Sequence, residues 1–131
     1  MFIEDLHCRV ALATIFYAFA MGVWGAFNYI LLRGLSSNYL GGLVIAEILI
    51  LVQGVLGIIL VITGHWPADV LHFLYGVVSA LSWPGVYAYT HGETSRREMG
   101  IYALISFFIF GLAIRAMMTG AGAAGATCLT H

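Results

Sequence analysis

Long apolar stretches separated by short polar breaks dominate the pattern along the chain. Four of them, at about residues 6–32, 40–63, 67–89 and 96–119, run almost without charged side chains. Each has the roughly 20 residues that a helix needs to cross the hydrocarbon core of a bilayer. Short connections place consecutive spans side by side in opposite directions. The pattern therefore predicts an all-α integral membrane protein, an antiparallel four-helix bundle.

The breaks carry residues that commonly end and begin helices. Gly34 and Gly64 follow the first two stretches, where a residue with positive φ often closes a helix. The polar residues 36–38 offer side-chain oxygens that can cap the second helix. Pro67 suits the first turn of the third helix, where its missing N–H costs nothing. These residues predict the helix boundaries given above.

The third and fourth stretches have their own signals. Pro84 lies inside the third and is expected to kink it. The break at residues 90–92 ends that helix. Ser95 and Glu98 have the spacing of a capping box, in which each side chain reaches the other residue's backbone N–H. Residues 1–120 are thus expected to form one unit, followed by a flexible tail of small residues at 121–131.

Composition narrows the class of protein. The chain is 62% hydrophobic and 8% charged, whereas a soluble domain has about 25% charged residues. This excludes a soluble domain and a disordered chain, because both need more charge. A net charge of −1 provides no basic surface for nucleic acid. The expected partner is the lipid bilayer, and Glu4 and Asp5 replace the positive segment of a secretory signal.

The arginines suggest an orientation. Loops one and three carry Arg33, Arg96 and Arg97. Arg9 and Arg115 lie near the termini. Since positive residues favour the cytoplasmic side, both termini and the loop at 64–67 are predicted on the outer face of a prokaryotic plasma membrane.

The two cysteines are too few for a disulfide framework. Cys8 and Cys128 would lie on the same side of a four-span protein, so that one bridge between them is an option. Two separate free thiols are the expectation.

Polar residues within the spans are candidate site residues, because burying them in hydrocarbon is costly. They are Asn28, Glu47, Gln53, His72 and Arg115. Glu47, near the loop-one side of the second span, is a proton-relay carboxylate, a neutral carboxyl bonded to a neighbouring helix, or a partner of Arg33 that extends toward the membrane surface. Asn28 is expected to join two helices by a hydrogen bond. Ser79 counts only as a small residue that allows close helix packing.

His7 and His72 begin the first and third spans, which run in the same direction. Their side chains are therefore expected at the same depth, where two imidazoles can bind a haem iron from both sides. His65, in the loop at 64–67, is a rival ligand. Arg9 or Arg115 could pair with the haem propionates. The alternative is that both histidines only form hydrogen bonds near the membrane surface.

Glycines could provide room for a macrocycle between the helices. Gly54 and Gly57 lie on the second span, and Gly76 lies on the third. The haem hypothesis thus predicts that the two imidazoles converge beside a haem-sized slot.

Three segments resemble one half of the haem A synthase family, membrane enzymes that oxidise a haem methyl group. They are residues 3–11 (IEDLHCRVA), 51–57 (LVQGVLG) and 70–76 (VLHFLYG). The first is similar to the family's helix that opens with Glu and, three residues later, His. The second is similar to its Gln-x-x-Leu-Gly helix and the third to its second His helix. The resemblance covers about residues 3–80.

The resemblance implies a haem b site. His7 and His72 would be the axial ligands of the iron, with Gln53 and Gly57 on the helix between them. Glu4 would be an acid–base or supporting residue. Cys8 stands between His7 and Arg, and the family's long outer loop with its cysteine pair is missing. The family enzyme has two such halves, so that full activity would require a dimer.

Two functions follow as hypotheses. The first is a haem b-binding membrane protein related to haem A synthase, acting in electron transfer or haem handling. The second is a non-catalytic accessory subunit of a respiratory or photosynthetic membrane electron-transfer complex. A small transporter is a third option, for which Pro84 alone gives a broken helix. Whether the chain is an enzyme stays open, as does the choice between a homodimer and a subunit of a larger complex.

Overall fold

The computed structural model describes residues 2–121, which form four α-helices and, within that range, no strand. They are α1 (Phe2–Ile30), α2 (Ser37–Ile62), α3 (Leu71–Tyr89) and α4 (Arg96–Ala121). The all-α prediction is confirmed. The tail predicted at 121–131 lies, from residue 122 onward, outside the described residues.

Three helices, α1, α2 and α4, are long and apolar enough to cross a membrane. The shorter α3 does not meet this criterion, and it carries His72, Ser79 and Pro84 among its apolar residues. Large apolar side chains are exposed on all four helices, an arrangement that suits lipid rather than water as the surrounding medium. Membrane spanning by α3 stays a prediction.

The start of α2 follows the sequence signal, since the Ser36 hydroxyl accepts a hydrogen bond from the Tyr39 N–H at 3.1 Å. Its end also does, because Gly64 has φ +91°. Gly34 was predicted to close α1 with a positive φ, and this prediction is wrong. Leu32, with φ +62°, takes the left-handed conformation after α1. A Cβ on Gly34 would instead collide with the Thr94 carbonyl oxygen.

We therefore expect Gly34→Ala to destabilise the protein by about 1–3 kcal/mol, the usual cost of forcing an atom into a packed contact. The same Thr94 carbonyl accepts the Leu35 N–H at 2.9 Å, which ties loop one to loop three. Thermal unfolding in detergent, followed by circular dichroism, measures the effect. Gly41→Ala is the control, since nothing lies within 4 Å of a Cβ there, and equal losses in both variants would refute the prediction.

The third helix begins later than predicted. Pro67 is not in its first turn, because α3 starts at Leu71. Ala68 and Asp69 instead donate their backbone N–H groups, at 3.0 Å each, to the last carbonyls of α4. The Asp69 carboxylate accepts the Leu71 N–H at 2.9 Å. Loop two is thus held against the end of α4, which competes with helix formation at Pro67.

The predicted break after α3 is confirmed by positive φ at His91 (+54°) and Gly92 (+74°). Of the two hydrogen bonds predicted for the capping box at the start of α4, one is present. The Glu98 carboxylate accepts the Ser95 N–H at 3.1 Å. The Ser95 hydroxyl bonds the same carboxylate rather than capping the helix.

The helices pack unequally around the core. The contact of α1 with α4 is the most extensive, α3 also packs on α4, and the α2–α3 contact is the weakest of the main pairs. The largest fully buried side chains include Tyr39, Met99 and Tyr102, which lie toward the end where loops one and three meet. There the Tyr39 hydroxyl donates to the Met21 carbonyl at 2.9 Å. The opposite end contains His7, His65 and His72.

Candidate functional site

His7 and His72 lie side by side at the end of the protein opposite loops one and three. Their ring centroids are 6.1 Å apart and the ring planes are inclined by 63°. His7 lies in the second turn of α1 and His72 in the first turn of α3. The expected convergence of the two imidazoles is therefore observed. Whether they bind a metal stays a prediction.

The last turns of α4 hold the His72 ring. The Ala116 carbonyl oxygen lies 2.7 Å from His72 Nδ1. Because a carbonyl can only accept, Nδ1 carries the hydrogen and the lone pair is on Nε2. A Cβ on Gly120 would lie 2.7 Å from the same ring, so a larger residue at position 120 would collide with the ring in this position. This is the usual support of a metal-binding histidine, whose other nitrogen donates to a carbonyl.

The second turn of α1 meets α2 at His7. Its Nε2 lies 3.4 Å from Nε2 of Gln53, and since that amide nitrogen can only donate, His7 Nε2 accepts. His7 Nδ1 and Gln53 Oε1 are buried without a hydrogen-bond partner. Gly57 lies next along α2, and a Cβ there would be 3.4 Å from the His7 ring. The structure thus brings Gln53 and Gly57 to the histidine pair.

Two more buried polar atoms without partners lie farther from the histidines, Ser79 Oγ near the middle of α3 and Glu47 Oε2 in the half of α2 toward loop one. At a rise of about 1.5 Å per residue, Ser79 lies about 10 Å along α3 from His72, and Glu47 about 9 Å along α2 from Gln53. Both steps lead away from the histidine end. Sequence reasoning treated Ser79 only as a small packing residue. Its signal was a hydroxyl within an apolar helix.

Charged side chains surround the histidine pair at the outer end of the protein, and some of them form ion pairs. Glu4 Oε1 lies 3.7 Å from His65 Nε2, so the carboxylate faces loop two. Arg9 Nε is 2.8 Å from Asp5 Oδ2 on the same helix. Arg115 is exposed, and within residues 2–121 its guanidinium forms no ion pair. Of the two arginines predicted at the propionates, Arg115 is thus the one available.

Cys8 follows His7 on α1 and is bonded in a disulfide. The described part of the chain contains no free cysteine, so the expectation of a free thiol at Cys8 is wrong. Cys128, the other cysteine of the sequence, lies outside the described residues.

The remaining sequence candidates lie apart from the histidine pair or leave open space. Asn28 is buried at the opposite end of α1. A Cβ on Gly54 or Gly76 would meet nothing within 4 Å. Two clefts stand out among residues 2–121, one between α1 and α4 at the end with loops one and three, the other on the outer face of α2. Neither of these two clefts borders the histidines, and a haem-sized slot beside the pair stays a prediction.

His7 and His72 offer two nitrogen donors, which fits a cofactor whose metal is already held by other ligands. Within the described range there is no group of three or more His, Cys, Asp or Glu side chains that could hold a bare ion. A haem needs only two axial ligands from the protein. His7 and His72, whose ring centroids are 6.1 Å apart, are the two side chains that would hold such a group.

Comparisons with known proteins give no further guide. No family model matches the chain, and neither a curated protein nor a solved structure is significantly similar to it.

Proposed function

We propose that the chain is an antiparallel four-span membrane bundle that binds one haem b, with His7 and His72 as axial ligands. The observation that carries this proposal is the 6.1 Å separation of the two imidazole centroids. Two histidines on different helices at one depth are the arrangement that bundle proteins use for haem.

The hydrogen bonds around the two rings support the same assignment. The Ala116 carbonyl fixes the His72 hydrogen on Nδ1, which leaves Nε2 as a lone pair for iron. His7 accepts from the Gln53 amide through Nε2, so that this atom also carries a lone pair. For His7 Nε2 to hold iron, the Gln53 amide would have to turn away from it, and both histidines would then use Nε2.

Four buried polar atoms without partners also favour a bound molecule. They are His7 Nδ1, Gln53 Oε1, Ser79 Oγ and Glu47 Oε2. Each unsatisfied buried group costs about 1–3 kcal/mol, and native proteins keep few of them. His7 Nδ1 and Gln53 Oε1 lie at the histidine pair, whereas Ser79 Oγ lies near the middle of α3 and Glu47 Oε2 in the half of α2 toward loop one. A cofactor together with its associated water would complete the hydrogen bonds of the first two.

Room for the macrocycle would come from the contact between α2 and α3, which is the weakest of the main helix contacts. Gly54 on α2 and Gly76 on α3 are exposed, and nothing lies within 4 Å of a Cβ at either position, so neither side of this contact carries a bulky group there. The buried core around Tyr39 and Tyr102 lies toward the other end. Separation of α2 from α3 at the histidine end therefore leaves that core intact.

A bound haem would supply a one-electron carrier, and the chain would act in electron transfer or haem handling. The residues present hold the imidazoles through Gln53 and the Ala116 carbonyl. Arg115 would pair with a propionate, and Glu4 with His65 would exchange protons at the surface. We also infer that the histidine end faces outward, since the Cys8 disulfide suits an oxidising compartment. As part of this proposal, we infer that the chain is related to one half of the haem A synthase family.

The alternative function, a non-catalytic accessory subunit of a membrane electron-transfer complex, is favoured by the direct packing of the two rings, which meet edge to face. In that case the two histidines only join α1, α2 and α4 through Gln53 and the Ala116 carbonyl.

An absorption spectrum of the purified protein separates the two functions. After supply of haem b, we expect a b-type α-band in the reduced-minus-oxidised spectrum. A pyridine haemochrome assay on the same sample should give about one haem per chain. The absence of a Soret band after haem is supplied would refute the proposal and leave the accessory role.

A further inference from the structure

A cleft lies between the end of α1 and the start of α4, far from the histidines. It has a volume of about 590 Å³, within the range of about 300–1,000 Å³ that is usual for small-molecule sites. Tyr29 and Ile30 line it from α1, and Arg96, Leu104 and Phe107 from α4. The haem proposal makes no use of this cleft.

The rim of the cleft is positively charged. Arg96 lies over the Tyr29 ring, with 3.9 Å from Cζ to the ring centroid, and its Nε donates to the Tyr29 carbonyl at 2.8 Å. No carboxylate of residues 2–121 lies within ion-pair distance of Arg96. Arg97 is 71% exposed and 3.9 Å from Glu98. That carboxylate is only 3% exposed and is bound by Ser95, so it neutralises the rim only in part.

The floor of the cleft is apolar and opens to the outside of the helix pair. Leu104 and Ile30 are 73% and 72% exposed. Phe107 lies one turn deeper than Leu104 and extends the apolar surface toward the middle of α4. Gly100 keeps the upper part open, since a Cβ there would lie 2.9 Å from the Tyr29 ring. The cleft therefore offers cationic groups at the helix ends and an apolar groove below them.

We propose that this cleft binds one anionic phospholipid, whose phosphate pairs with Arg96 and Arg97 and whose acyl chain lies along Leu104 and Phe107. Basic pockets between helices at a membrane surface recognise anionic headgroups in this way. Guanidinium groups suit phosphate because they can donate two parallel hydrogen bonds. The long apolar groove selects a lipid rather than a free anion. This site is independent of the haem proposal.

Native mass spectrometry of the whole protein in detergent tests the proposal with phosphatidylglycerol and phosphatidylcholine of identical acyl chains. We expect the unaltered protein to retain one phosphatidylglycerol, with a preference of about tenfold or more over phosphatidylcholine, because each arginine near an anionic headgroup favours it. Arg96→Gln combined with Arg97→Gln should remove the preference. Arg33→Gln is the matched control, since it removes one charge from the same end of the protein without lining the cleft.

A second pair of variants tests the groove. Leu104→Trp fills it without changing charge and should weaken retention of both lipids. Leu81→Trp, at a similarly exposed position on α3, should leave retention unchanged. Equal retention of the two lipids by the unaltered protein would overturn the proposal, as would a preference that survives in the double arginine variant. Displacement of phosphatidylglycerol by equimolar inorganic phosphate would identify a free-anion site instead.

Discussion

Replacement of either His72 or His7 by alanine is expected to abolish the low-spin b-type spectrum of the haem-loaded protein. Each imidazole supplies one of two axial ligands, and neither has a substitute among the residues that contact it. Gln53 is the nearest polar side chain to His7, and a neutral amide is a poor ligand for haem iron compared with imidazole. Reduced-minus-oxidised spectra and the haemochrome assay measure the loss, which we expect to be at least about tenfold in bound haem.

The control for both variants is His91→Ala. It removes an imidazole at the other end of the protein, where His91 has φ +54° in the turn after α3, and should leave the spectrum unchanged. His65→Ala tests the rival ligand, which contacts Glu4, and should preserve the band. Retention of the full b-type spectrum in both His7→Ala and His72→Ala would contradict the assignment. Loss of the band in His65→Ala but not in His72→Ala would move the ligand to loop two.

Gly25→Val is expected to cause the largest loss of stability of any single change in α1. A Cβ at this position would lie 2.6 Å from the Tyr39 hydroxyl and 3.2 Å from Cα of Ala103. The backbone of α4 cannot move aside easily, and the Tyr39 hydroxyl is already bonded to the Met21 carbonyl. Overpacking together with the loss of this buried hydrogen bond should cost about 3 kcal/mol or more.

Equilibrium unfolding of the Gly25 variant in mixed micelles, followed by circular dichroism, gives the free energy. The matched control is Gly41→Val on α2, where nothing lies within 4 Å of a Cβ. Because both changes place the same β-branched residue in a helix, their difference isolates the clash. Similar free energies for the two variants would show that α1 and α4 are not closely packed at Gly25.

Much of the helical organisation could be predicted from the sequence, because the signals act locally. The apolar stretches gave four helices in the right order, Ser36 and Gly64 behave as their residue types predict, and α1, α2 and α4 are apolar along enough length to span a bilayer. The common depth of His7 and His72 could also be predicted. It depends only on the distance of each residue from its helix end and on the alternation of helix direction.

Contacts between helices and loops distant in the chain could not be predicted from the sequence. Pro67 does not begin α3, because loop two bonds to the last carbonyls of α4. Gly34 is needed for contact with Thr94 on another loop rather than for its own φ. In both places a partner distant in the chain decides the local conformation, and one sequence does not identify that partner.

The sequence by itself therefore determined that the chain is all-α, where its apolar helices lie along the chain, and that His7 and His72 share one depth. The tertiary structure alone decided that the Ala116 carbonyl fixes His72, that Ser79 is a buried hydroxyl without a partner, and that the cleft lies between α1 and α4. The physical reason is that hydropathy and capping depend on neighbours in the chain. These three features depend instead on how far each helix is rotated about its axis. In helices that are apolar on all sides, periodicity carries little information about that rotation.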